Sequence, residues 1–179
     1  MLLRQLEPWI RMRFTSEAIG RALESLPELD ASRPDFGALA STWYDERTYG
    51  TLLDLLLSTR PELDRNALAR EAAESILRTP ARGTTSGIFT LMATPALYAR
   101  YAQRTWDTSH DTGTVSIEHV SPCVARHRVR GWQGHHDFAC ELNRQSSAVI
   151  YERMGLVGVE ILSHSCTPSV CQTTYKWNP

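Results

Sequence analysis

The period of the apolar residues changes near His110, and this change constrains the fold more than any other feature of the sequence. Before it, apolar residues recur every three or four positions, which is typical of helices buried on one face. After it, apolar and polar residues alternate, for example over residues 115–120, which is typical of strands. We therefore predict an α+β fold in a single domain, mostly helical over residues 1–110 and ββαββ over residues 111–179.

Capping residues mark where the helices begin. Thr15 or Ser16 can cap a helix that runs to Leu26, where Pro27 ends it. Asp64 can cap another helix, and Thr94 followed by Pro95 combines a cap with a proline in the first turn. Apolar residues also recur at helical spacing over residues 49–57. Together these signals predict five or six helices before the strands begin.

Two short turns in the second half predict two antiparallel hairpins. Residues 115–120 and 124–129 form the first, and residues 157–161 and 171–177 form the second. Between them, Asp137 can cap a helix that Gly155 ends. We expect a four-stranded antiparallel sheet, with this helix on one face and the N-terminal helical part packed against the rest.

The charge balance excludes several kinds of partner. The chain has 19 basic and 20 acidic residues and a net charge of −1, whereas nucleic acids and anionic membranes attract a sustained basic surface. No apolar run approaches the roughly 18–20 residues of a membrane span, and residues 1–14 lack the unbroken apolar core of a secretory signal. We predict a cytoplasmic protein with reduced cysteines that binds neither nucleic acid nor membrane.

The ββαββ part resembles a known superfamily. The hairpin is followed by Gly131-Trp132, then by a helix with Cys140 in its first turn, and last by Cys166-Thr-Pro-Ser-Val-Cys171 leading into an aromatic strand. These features resemble the fold shared by 4-vinyl reductase (V4R) domains, heme nitric-oxide-binding domains and TRAPP vesicle-tethering subunits. The chain looks most like a bacterial branch of this group.

The resemblance implies a candidate metal site. In several V4R-like domains a zinc ion is held by a cysteine on the helix between the hairpins, an acidic residue on the third strand and two cysteines around the last turn. Cys140, Cys166 and Cys171 stand at the cysteine positions, while the acidic position falls near Ser163.

The sequence leaves the fourth ligand open. His164 lies two residues before Cys166, so both side chains point to the same face of a regular strand, and Cys123 is a more distant substitute. A closed site of this kind would make the zinc structural. The alternative is that the cysteines are buried thiols that pack a core.

The heme branch fits the sequence less well, and we expect heme to be absent. Members of that branch use a histidine on a mid-chain helix as the axial ligand, and residues 88–106 contain none. The Tyr-x-Ser-x-Arg sequence that binds the propionates is also missing.

Several aromatic residues can line a pocket for a small apolar molecule between the sheet and the helices. The candidates are Tyr98, Tyr101, Trp106, His119 and Trp132. Ligand pockets are mostly apolar with a few polar groups, but so are ordinary cores, and the sequence does not separate the two.

Three further features have simple alternatives. His135 and His136 can be bases, metal ligands or a pH switch, or can lie in a solvated loop. The loop over residues 83–87 can cradle a phosphate, although it lacks the glycine-lysine pair of a P-loop. The arginines at 126, 128 and 130 share one strand face, which can bind an acidic partner or remain solvated.

We interpret the chain as a non-enzymatic sensory or regulatory domain that binds a small hydrophobic effector and signals through protein contacts. The alternative is a protein-protein interaction or dimerisation module with no small-molecule ligand. No nucleophile motif supports an enzyme. We also expect a protein partner or a homodimer formed through the N-terminal helices.

Overall fold

The computed structural model describes residues 2–26, 46–78 and 93–179, and these segments confirm the α+β fold. They contain six helices and four strands, in the order α1 (Leu2–Arg13), α2 (Ser16–Glu24), α3 (Glu46–Ser58), α4 (Arg65–Arg78), α5 (Pro95–Trp106), β1 (Thr114–Ser121), β2 (Val124–Arg130), α6 (Asp137–Arg153), β3 (Glu160–Cys166) and β4 (Val170–Lys176). The predicted loops over residues 27–34 and 83–87 lie outside the described residues.

The helices begin where the capping residues predict, with one exception. The side chains of Thr15 and Thr94 accept hydrogen bonds from backbone N–H groups of the first turns of α2 and α5, at 3.2 and 3.3 Å. Asp64 likewise accepts from the backbone of α4 at 2.9 Å. The exception is α6, where the cap is His136 and Asp137 is the first helical residue. A histidine accepts this hydrogen bond through its ring nitrogen, which a search for Ser, Thr, Asp and Asn misses.

The four strands form one antiparallel sheet in the order β1-β2-β4-β3. The two hairpins join through pairing of β2 with β4, so β1 and β3 are the edges. The predicted third strand, residues 157–161, is placed too early. Gly158 has a φ of +66° and the backbone N–H of Asn178 donates to the carbonyl of Val157 at 2.9 Å. Because of this turn, β3 begins at Glu160 and not at residue 157.

The α6 helix packs on the helical part on one side and on the sheet on the other. Phe138, Leu142 and Val149 belong to the core formed by α1 to α4, and the Phe138 ring stacks on that of Trp9 at 6.1 Å. Tyr151, with neighbouring α6 residues, belongs to the core under the sheet. The α6 helix therefore has two buried faces, which explains why its apolar pattern is broader than a single stripe.

No described helix is long and apolar enough to cross a membrane.

Two helical glycines give a matched test of how tightly α3 docks on the start of α6. A Cβ at Gly50 would lie 2.5 Å from the His136 ring, whereas a Cβ at Gly20 on α2 would meet nothing within 4 Å. We expect Gly50→Ala to lower the free energy of unfolding by about 1–3 kcal/mol, because the ring must move. Gly20→Ala should raise it by about 0.5–1 kcal/mol through helix propensity. Urea denaturation of both variants measures the difference, and two stabilised variants would contradict the docking.

Candidate metal centre

Three cysteines meet where the start of α6 passes the turn between β3 and β4. Cys140 lies in the first turn of α6, while Cys166 ends β3 and pairs in register with Cys171 on β4. The turn is held by Thr167, whose backbone N–H donates to the Val170 carbonyl at 2.9 Å. The Thr-Pro-Ser sequence thus brings two cysteines opposite each other at the end of the sheet.

His135 completes a group of four ligand atoms. One ring nitrogen of His135 and the sulfurs of Cys140, Cys166 and Cys171 all lie within 4.8 Å of one another. The sulfurs of Cys140 and Cys171 are 3.2 Å apart. Around a tetrahedral zinc, with bonds of about 2.3 Å to sulfur and 2.0 Å to nitrogen, these ligand atoms would be about 3.5–3.8 Å apart. The cluster has the number and chemical type of ligands that such a site needs.

The three sulfurs converge on one point, where a single disulfide cannot account for all of them. The Cys166 sulfur contacts those of both Cys140 and Cys171. Because one sulfur can form only one disulfide bond, a disulfide accounts for at most two of the three cysteines. A cation bound by three thiolates accounts for all of them.

The environment of His135 supplies an independent observation. Its Nε2 atom is buried and has no hydrogen-bond partner among the described residues. A buried polar atom left unpaired costs about 1–3 kcal/mol, and a metal bond would remove that cost. The ring also packs edge-on against Trp132, with centroids 6.4 Å apart.

His164, which the strand periodicity favours as the fourth ligand, is placed elsewhere. Its Nδ1 lies 2.8 Å from the Thr173 hydroxyl, and it is not one of the four converging residues. Burial, together with the positive charge of Arg144, lowers the pKa of His164. Cys123 lies at the opposite end of the sheet, where its carbonyl accepts from the Trp177 N–H at 3.1 Å. The position of His135 depends on the loop after β2, which strand periodicity does not describe.

The five predicted pocket residues do not form one group. Tyr98 packs under the middle of the sheet, whereas Trp106 and Trp132 pack with Cys140 and Cys171. The Tyr101 ring contacts the guanidinium of its neighbour Arg100, whose central carbon is 5.6 Å from the ring centroid. His119 is exposed on β1.

Trp106 and Trp132 form a stack with His110. The ring of His110 lies parallel to that of Trp106 at 3.6 Å, and the ring of Trp132 meets both edge-on at 5.2 and 5.7 Å. The Trp106 indole N–H donates to the Thr112 carbonyl at 2.8 Å. The stack fastens the end of α5 to the loop that carries His135.

A buried histidine lies among three tyrosines under the sheet. The Nε2 of His127 is 2.7 Å from the Tyr151 hydroxyl, and the rings of Tyr98 and Tyr175 approach His127 to 5.5 and 4.7 Å. Burial, aided by the positive charge of His119, lowers the pKa of His127 to about 3. The ring is therefore neutral near pH 7, and it was not recognised as a special residue in the sequence.

Comparison with known proteins gives a match in fold. No protein-family model and no curated protein matches the sequence. Solved structures do match: the Fe(II) unliganded H-NOX protein from K. algicida is 11% identical, with a TM-score of 0.71, and the match covers 99% of this chain and 95% of that one. An oxygen binding H-NOX domain related to soluble guanylate cyclases is 9% identical, with a TM-score of 0.67 and coverage of 98% and 92%. At such identities the likeness establishes the fold.

These neighbours correct one expectation from the sequence. The heme branch was ranked below the others because residues 88–106 contain no histidine. The matching structures are nevertheless H-NOX domains, and one of them is described by its heme redox potential and porphyrin distortion. The expectation that this chain has no heme is therefore contradicted by its structural neighbours. The resemblance to V4R and TRAPP proteins is not confirmed.

Replacement of single ligands tests the metal centre. Cys166→Ser should abolish zinc binding and lower the free energy of unfolding by several kcal/mol, because the metal contributes folding energy. His135→Ala should weaken zinc at least about tenfold. Competition with a chromophoric chelator gives the affinity. His164→Ala and Cys123→Ser are the controls and should retain zinc. If Cys166→Ser costs only about 1 kcal/mol and the protein holds no zinc, the cysteines merely pack a core.

The buried His127 predicts sensitivity to acid. The unfolded chain binds a proton at this residue below pH 6.5, whereas the folded protein resists protonation down to about pH 3. Because the unfolded state binds more protons, stability should fall as the pH falls, by about 2 kcal/mol between pH 7 and pH 5. Urea denaturation at both pH values measures this loss, and His127→Gln should lose less than the parent. The exposed His119→Gln is the control. An equal loss in parent and His127→Gln would contradict the assignment.

Proposed function

We propose that this chain is a non-enzymatic sensory domain that binds a small molecule and signals through protein contacts. The observation that carries the proposal is the match of almost the whole chain to H-NOX domains, over 98–99% of its residues. An oxygen binding domain is among these neighbours, so a small gas is the first ligand class to test. The cysteine and histidine cluster supports a sensor that is held together by a metal.

In this proposal the metal is structural. A zinc with four protein ligands keeps no open position for a substrate. His135, Cys140, Cys166 and Cys171 would fill all four positions and join the loop after β2, the start of α6 and the end of the sheet. This bridge would hold α6 to β3 and β4 while other parts of the domain respond to a ligand.

Heme is the cofactor that the structural neighbours suggest for this chain. We propose that His110 is the residue that would bind its iron. His110 follows α5, and its Nδ1 lies 3.0 Å from the Ser109 hydroxyl and 3.4 Å from the Trp106 carbonyl. If Nδ1–H donates to that carbonyl, Nε2 is the ring nitrogen that would bind the iron, as in metal-bound histidines whose other nitrogen donates a hydrogen bond. A bound heme would supply an iron that takes up a diatomic gas.

Titration with hemin tests the sensory proposal. We expect a Soret band that saturates at one equivalent and shifts when carbon monoxide is added to the reduced protein. His110→Ala should weaken heme binding at least about tenfold, since a lost axial bond is a lost ligand interaction. His119→Ala is the control, because that histidine is exposed on β1.

Two outcomes of the titration would contradict heme-based sensing. One is the absence of a saturable Soret band, and the other is an equal effect of both histidine replacements. Either result leaves the zinc centre untouched, because His110 and His119 are not among its ligands.

The interaction module remains the second candidate, and one observation favours it. Tyr98, Trp106 and Trp132 are buried against other side chains, as in a filled core. A domain without a ligand would then act through its surface alone. The homodimer through the N-terminal helices stays a prediction.

A further inference from the structure

The outer face of the sheet is left open by the described helices. Both α5 and α6 pack on the inner face, where Ala125 and Val129 of β2 and Tyr175 of β4 are buried beneath them. Because side chains alternate along a strand, the residues between these positions point outward. On β2 those outward residues are Arg126, Arg128 and Arg130, with Lys176 on β4.

The arginines of this row are poorly neutralised by the protein itself. Arg126 has one carboxylate near it, that of Glu118 at 3.5 Å, and its Nε is buried without a hydrogen-bond partner. Arg128 bonds the neutral Gln172 at 2.7 Å. Neither Arg128 nor Arg130 has an ion-pair partner among the described residues.

The arginines of α1 to α4 and their connecting segments, in contrast, are neutralised by carboxylates. Each arginine of residues 6–78 whose side chain is described forms an ion pair with a carboxylate: Arg11, Arg13, Arg21, Arg60, Arg65, Arg70 and Arg78. In a chain with a net charge of −1, positive charge is thus cancelled locally on α1 to α4 and left uncancelled on the outer sheet face.

We propose that this face binds an extended acidic segment of a partner protein, which would carry the output of the domain. Alternate residues on a strand are about 6.6–6.8 Å apart, so an extended partner with Asp or Glu at alternate positions repeats at the same interval as the arginines. Each guanidinium can hold a carboxylate through two parallel hydrogen bonds. The residues opposite Arg128 and Arg130 on the neighbouring strands, which include Ser116 and Val170, are uncharged and leave the guanidinium groups accessible.

The surface is better suited to a peptide than to a nucleic acid. Glu118 lies beside Arg126 on β1, and Glu160 lies beside Lys176 on β3. These carboxylates flank a single row of cations and would repel the second line of phosphates that a nucleic acid presents. Tight binding to nucleic acid needs several phosphate contacts at once.

A charge-reversal experiment tests the docking surface without reference to heme or zinc. The probe is a fluorescein-labelled peptide of alternating Glu and Thr residues, and fluorescence anisotropy follows its binding to the full chain. We expect binding that weakens as ionic strength rises and that falls at least about tenfold in the double variant R128E/R130E. The matched control is R100E/R104E, which reverses two exposed arginines on α5.

A peptide of opposite charge tests whether binding depends on the charges at residues 128 and 130. A peptide of alternating Lys and Thr should bind R128E/R130E and not the parent protein. Circular dichroism establishes that both double variants are folded. Equal loss of binding in the two double variants, no binding of the acidic peptide to the parent, or tighter binding of a single-stranded oligonucleotide would each overturn the proposal.

Discussion

The packing of α6 is the interaction on which the rest of the structure depends. Among the described elements it is the helix with extensive contact to both the helical part and the sheet, through α3 and α4 on one side and β3 and β4 on the other. Its start is fixed by His136, whose Nδ1 accepts the Phe138 N–H while Nε2 lies 2.9 Å from the Asp54 carboxylate on α3. Its end is tied to α4 by the ion pair of Arg70 with Glu152. A change at either end of α6 therefore reaches both layers of the fold.

The candidate metal centre lies at the same junction. Cys140 is on the first turn of α6, and His135 immediately precedes the residue that caps it. Two adjacent histidines thus have different partners: His135 faces the cysteines at the end of the sheet, and His136 faces the helices. A metal at this point would join the end of the sheet to the start of α6. Loss of the metal should consequently affect α6 docking as well as the turn between β3 and β4.

Much of this fold follows from local rules, and the parts that do not follow depend on contacts distant in sequence. The caps at Thr15 and Thr94 and the first hairpin were predictable because each involves neighbours within a few residues. The pairing of β2 with β4 was not, since it joins strands about 45 residues apart and no turn specifies it. At the site, three cysteines were recognisable from the resemblance. His135 was named as a possible metal ligand but not chosen as the fourth, because strand periodicity points to His164 while the loop after Gly131 carries His135 to the sulfurs.

Measuring which atoms of this chain coordinate zinc is the most direct test of the proposed metal centre. X-ray absorption at the zinc edge of protein purified without chelator reports the ligand atoms around the metal. The account predicts three sulfurs at about 2.3 Å and one nitrogen at about 2.0 Å, with the nitrogen lost in His135→Ala and retained in His164→Ala. A protein that binds no zinc when reduced, or a metal surrounded only by nitrogen and oxygen, would contradict the claim that these four residues form one site.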